Sequence, residues 1–131
     1  MRETHLQELY VKGLQLFNRE QFYECHDTLE ELWLEDSGSD RLFYQGLIQV
    51  AVGFYHLTGV KLGAARTMMR MALEKLAHYP PKHRGIQLAE FREQVAAWKR
   101  ILDEAIALKG DVPKRSFPKI EYDPAEDSSA E

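Results

Sequence analysis

Residues 42–60 read LFYQGLIQVAVGFYHLTGV, a run that holds no Asp, Glu, Lys or Arg. The run is long enough to span a bilayer, but it contains Gln45, Gln49 and His56, which hydrocarbon penalises heavily. A segment that is apolar nearly all round predicts a helix in the centre of a bundle, covered on several sides. That helix is read over about 40–58, with Gly59 ending it.

The flanking sequence supplies the neighbours. Leu6, Leu9, Tyr10, Gly13, Leu14 and Phe17 recur at the spacing of one helix face, which predicts a helix over about 4–17, with Thr4 and Gln7 in the form of a capping box. Asn18 is placed to cap a second helix, whose apolar face is Phe22, Cys25, Leu29, Leu32 and Trp33 until Ser37, Gly38 and Ser39 break it. Helices joined so briefly pair antiparallel. A fourth helix over about 62–78 presents Ala65, Met69, Ala72, Leu73 and Leu76, widened by Ala64, Met68 and Met71, before Tyr79, Pro80 and Pro81 stop it. A fifth, over about 86–108, carries the narrow seam Leu88, Phe91, Val95, Trp98, Leu102 and Ala105.

The fold expected is therefore all-α, a compact bundle of about five helices built from antiparallel hairpins and loosely tetratricopeptide-like. Weak self-similarity supports the analogy. Gly13 and Phe17 align with Ala51 and Tyr55, whereas Cys25, Leu29 and Leu32 align with Ala64, Met68 and Met71 at an offset one residue longer. A chain of 131 residues suits one domain, read as a helical part over 1–109 and an irregular tail over 110–131. In the tail Pro113, Pro118 and Pro124 preclude a continuous helix and the end is acidic. Phe117, Ile120 and Tyr122 are able to dock it as an arm, with the remainder solvated or disordered.

A formal net charge of -4 lacks the basic excess that a phosphate backbone requires, so nucleic acid is not an expected partner. Cys25 is the single cysteine and can form no internal disulfide. The first residues show no basic segment followed by an apolar run, so a soluble cytoplasmic protein is expected, with no membrane partner. A small molecule or a protein remains as partner, and homo-oligomerisation stays open. Cys25 and the methionines read as core hydrophobes, Trp98 as a core anchor, His78 and His83 as surface residues, and Arg66 with Arg70 as a solvated face or an anion clamp.

One polar cluster stands out. Helical geometry puts His26 within the apolar face of the second helix with Glu30 one turn on, while Glu24, Asp27 and Glu31 point outward. On the third helix Gln45, Gln49 and His56 form one stripe bordered by Gly46 and Gly53, where a ligand or a neighbouring backbone has room to approach. A functional reading makes this a polar pocket between helices two and three, with His26 and Glu30 as acid/base residues, or with His26, Glu30 and His56 holding a divalent metal. The structural alternative is a buried hydrogen-bonded network that sets helix register. His-Glu-x-x-His, the Glu-x-x-His of di-iron bundles, Cys-x-x-Cys and Gly-rich phosphate loops are all absent from the sequence. That leaves an uncharacterised binding domain as the first reading and a metal-dependent or acid/base hydrolase as the second.

The segments FYECHDTLEELW over residues 22–33, FYQGLIQ over 43–49 and Tyr55-His56-Leu57 resemble the small helical prokaryotic proteins grouped as domain of unknown function 309. The resemblance runs over about 9–102. It implies a compact helical bundle and a family without an established activity. Its pattern falls on Glu24, His26, Glu30, Trp33, Gln45, Gly46, Gln49 and His56, with Asp27 where a longer Glu is expected.

Overall fold

In a computed structural model, which describes residues 2–128, five α-helices follow one another: α1 (Arg2–Asn18), α2 (Phe22–Glu35), α3 (Arg41–Thr58), α4 (Leu62–Leu76) and α5 (Leu88–Leu108). The chain is the all-α bundle expected from its periodicity. Residues 129–131, part of the end read as solvated, lie outside the described residues. Among the described residues no helix is long and apolar enough to cross a membrane.

α3 packs against both α2 and α4, as its apolar circumference requires. Its buried residues run from Phe43 to Leu57 and include Gly46, Gln49 and Gly53. The two glycines face α4. A Cβ on Gly46 would stand 2.8 Å from Leu76 Cγ, and one on Gly53 would stand 3.2 Å from Met69 Cγ and 3.4 Å from the Ala65 carbonyl. Ascending α3 thus meets descending α4, so the pair is antiparallel, and the neighbour admitted by these glycines is a helix.

The two hairpins α1–α2 and α3–α4 are built alike. Each turns through a residue in the left-handed region, Glu20 (φ 60°) and Val60 (φ 58°). Each closes with the same long hydrogen bond, Gln21 N to Leu16 O at 3.0 Å and Lys61 N to His56 O at 2.9 Å. Gly13 lies under Leu29 as Gly53 lies under Met69. Cys25 and Leu32 are buried where Ala65 and Ala72 are buried. Equivalent positions are therefore forty residues apart, which corrects the shorter offsets obtained by matching residue types. Steric equivalence at the knob-and-glycine contacts and at the turn sets the register, and Glu20 and Val60 share conformation without sharing chemistry.

α5 buries all six residues of its seam and closes one end of the core through aromatic rings. Phe17 meets Phe91 at 5.6 Å, Phe54 meets Trp98 at 6.0 Å, and Phe117 of the tail lies 5.1 Å from Phe54 and 5.3 Å from Trp98. α5 begins at Leu88 instead of Ile86, because Arg84 and Gly85 both take positive φ and Ile86 bridges His83 and Tyr122.

Two residues read as helix caps hold the tail instead. Asn18 ends α1 and grips Ile120 on both sides, donating from Nδ2 to its carbonyl at 2.7 Å and accepting from its amide at 2.6 Å. The residue that flanks the start of α2 is Gln21, which makes no side-chain cap. Thr4 lies inside α1, and Gln7 reaches Tyr122 and Asp127.

Gly46→Ala is expected to destabilise by about 1–3 kcal/mol, because the added methyl overpacks against a fully buried Leu76. Thermal melts of the variant beside the parent check this, and an unchanged midpoint would contradict the packing.

Candidate functional site

Contacts between α2 and α3 fix the register of the predicted pocket. The rings of Tyr23 and Tyr55 are 5.7 Å apart. At the other end the Arg41 guanidinium lies 4.4 Å over Trp33 and Tyr44 Oη donates to Asp36 at 2.9 Å. His26 and Glu30 fall between these contacts, alongside the middle of α3. The polar strip predicted along α2 and α3 is open, not enclosed, and the ion pairs of His26 stay within α2.

His26 is held between carboxylates on its own helix. Its Nδ1 is 3.1 Å from Asp27 Oδ1 and its Nε2 is 3.3 Å from Glu30 Oε2. Asp27, read as pointing outward, turns towards the imidazole, although it and Glu30 are both exposed. Glu24 is exposed too, while Trp33, Gln45 and His56 are half-buried. Gln49 is only 9% exposed, and its Oε1 has no hydrogen-bond partner. Tyr23 and Tyr55 are 52% and 46% exposed, and each ring lies about 6 Å from the neighbouring imidazole of its own helix, His26 and His56. Sequence reasoning did not single out this tyrosine pair. Two tyrosines outside the apolar faces were the available signal.

Among the described residues, the group of three ligating atoms lying within 4.8 Å of one another is His5, Glu31 and Glu35, all exposed. His26 and Glu30 pair, but together with His56 they make no such set. Arg66 and Arg70 are engaged by carboxylates, Arg66 with Asp103 at 3.7 Å and Arg70 with Glu74 at 3.0 Å. Cys25 is buried, and burial pushes its thiol up to about 12, which fits a core hydrophobe and not a nucleophile.

The buried polar network lies elsewhere, at residues the sequence did not advertise. The Arg84 side chain donates from Nε to Asp127 at 2.9 Å, from one terminal nitrogen to Tyr44 Oη at 2.6 Å, and from the other to Gln7 Oε1 at 2.7 Å. Its guanidinium also lies 4.1 Å over the Tyr10 ring, and Tyr10 Oη donates to the Arg84 carbonyl at 2.8 Å. Burial works against the cation, yet the Asp127 hydrogen bond and the surrounding groups outweigh it and raise the Arg84 pKa. Next to it, His83 Nε2 lies 2.7 Å from Asp40 Oδ1 and its ring packs 4.7 Å from Phe43. His83 is thus a packed residue, not the surface histidine expected. A signal did exist for part of this network. Tyr10 and Tyr44 sit on apolar helix faces, and a buried phenol needs a partner for its hydroxyl.

The sequence model of a family described as "Domain of unknown function (DUF309)" matches residues 10–68. The resemblance to that family is shown. A 98-residue segment is 31% identical to an uncharacterized protein of Aquifex aeolicus (strain VF5), covering 72% of this chain and 29% of that protein. A 67-residue segment is 33% identical to the uncharacterized protein YpuF of Bacillus subtilis (strain 168), covering 50% of this chain and 37% of that protein. The chain thus spans less than two fifths of either curated relative. The DUF309 match contains every residue of the α2–α3 strip, whereas Arg84 and Asp127 lie beyond it.

Two outcomes follow from the buried network. Asp127→Ala removes the carboxylate bonded to Nε and leaves only Asp40, 3.6 Å from a terminal nitrogen, as a nearby anion; it is expected to cost about 3 kcal/mol, whereas Arg84→Met with Asp127→Leu should recover most of that loss. Urea midpoints of the three proteins check it, and equal losses in the single and double variants would contradict it. Burial raises the pKa of Tyr10 and Tyr44 above the usual phenol range, and burial and then the Asp127 hydrogen bond push Tyr122 up to about 12. With Cys25 these groups stay protonated in the fold where the unfolded chain ionises, above about pH 8.5 for the thiol and 10 for phenols. The contribution is fully present below those values and falls as pH rises towards the folded ones. Stability measured between pH 7 and 11 should therefore decline through the alkaline half, with Cys25 unreactive to thiol reagents until unfolding.

Proposed function

We propose that this domain is a docking module whose α2–α3 strip binds a peptide segment of a protein partner. The observation that carries the reading is the exposed pair of tyrosine rings contributed by two helices; six residues before Tyr55 on α3, Gln49 Oε1 is buried without a hydrogen-bond partner. A buried acceptor left unsatisfied costs free energy, and a turn of the Gln49 side chain outward to a peptide N–H on the strip would relieve it. Half-buried Gln45 lies one turn before Gln49, and a glutamine amide can both donate to and accept from a peptide group. Tyr23 and Tyr55 add flat amphipathic area of the kind that anchors interfaces. The segment shared with the relatives forms under two fifths of each, as a module joined to other chain would.

The competing acid/base reading rests on the Glu30–His26 pair. It is the weaker one, because both imidazole nitrogens face carboxylates and neither is left open towards a substrate proton.

A phage-displayed library of twelve-residue peptides, selected on the intact protein, tests the proposal. Enriched peptides should lose roughly tenfold or more in affinity on Tyr23→Ala/Tyr55→Ala, lose affinity on Gln49→Ala, and be unaffected by Arg70→Ala on the outer face of α4. Binding indifferent to the strip variants would sink the docking reading. Hydrolysis of p-nitrophenyl acetate that vanishes in both His26→Ala and Glu30→Gln would favour the enzyme in its place.

A further inference from the structure

A second candidate surface lies away from this strip, at the turn between α3 and α4. There the end of α3, the start of α4, α5 and residues 110–117 of the tail line an open cavity of about 710 Å³. That size is within the range of about 300–1,000 Å³ usual for small-molecule sites. Its lining is largely apolar: Leu57, Val60 and Leu62 from the end of α3, the turn and the start of α4, Trp98 from α5, and Val112 and Phe117 from the tail. Lys114 and Arg115 stand on its rim with Asp111, which leaves the rim net positive. Neither cation has an ion-pair or hydrogen-bond partner among the described residues.

Val60 is the second observation. It is 77% exposed and held at φ 58°, a conformation that a β-branched side chain adopts only under strain. The equivalent turn of the first hairpin carries Glu20, a polar residue that accepts from Lys119 at 3.3 Å. Folding alone would favour glycine or a polar residue at position 60, yet the chain presents a branched apolar group at the mouth of the cavity.

We propose that this cavity binds a small amphipathic carboxylate, with an aliphatic chain against Trp98, Val60 and Phe117 and its head group on Lys114 and Arg115. The apolar walls bury the chain, and the two unpaired cations supply the charge complement for a carboxylate. The segment that carries the cations is joined at one end to α5 and fastened at the other by the Asn18 clamp on Ile120.

Sodium decanoate, titrated below its micellar concentration into the full-length protein bearing Trp33→Phe, tests the proposal, since Trp98 is then the sole tryptophan. A saturable change in Trp98 emission is expected. Lys114→Glu/Arg115→Glu should weaken it by about tenfold or more, as should Val60→Glu, with helicity unchanged because all three side chains are exposed. Lys82→Glu, away from the cavity, should leave it within about twofold, and decyltrimethylammonium should bind at least about tenfold more weakly than decanoate. No saturable response, equal affinity for the two head groups, an effect of Lys82→Glu as large as that of the rim variants, or indifference to Val60→Glu would each overturn the proposal.

Discussion

A guanidinium keeps its charge at any pH a protein meets, so an arginine taken into the core forces the surroundings to supply acceptors. Arg84 is such a residue, and its acceptors come from across the chain: Gln7 from α1, Tyr44 from α3 and Asp127 from the tail, with the Tyr10 ring as a further face. Removing any one would leave a buried donor short. This requirement pulls the tail back over the bundle, where Ile120 and Asp127 are buried and Phe117 and Tyr122 pack against the core. Gly85 lets the backbone close there, since a Cβ at that position would meet the Tyr122 ring and the Asp123 carbonyl at 2.7 Å each.

Between the paired helices the constraint is steric. Glycines 13, 46 and 53 let helices approach until Leu29, Leu76 and Met69 fill the space a side chain would take. The same knob-and-glycine contact, at the same distance from the same kind of turn, gives the two hairpins their likeness. The helical-repeat analogy therefore has a physical content here, although only one such pair of hairpins is present among the described residues and α5 packs against α4.

Polar groups serve two different ends in this molecule. Around Arg84 the buried donors and acceptors engage one another, which is what a structural network requires. Along α2 and α3 the polar side chains range from exposed to buried, two tyrosine rings are about half exposed and Gln49 Oε1 is unsatisfied, so the set is not closed on itself. The distinction lies in completion, not in residue type, since glutamine, histidine, tyrosine and carboxylate occur in both places.

Local periodicity determined the helices, because burial along a helix repeats every few residues and leaves its mark in the sequence. All six residues of the α5 seam are buried as the pattern required, and the all-round burial of α3 follows from its apolar run. The His26–Glu30 pair was legible for the same reason, being one turn apart on one helix. Pairings between distant segments were not. Gln7 and Asn18 look like helix caps to any local reading, because their hydrogen bonds to residues more than a hundred positions away leave no periodic trace. Arg84 and Asp127 are forty-three residues apart, each unremarkable in its own neighbourhood. Only tertiary packing brings them together, because the acceptor a buried charge must find is specified by where the chain folds and not by what stands next to it in sequence.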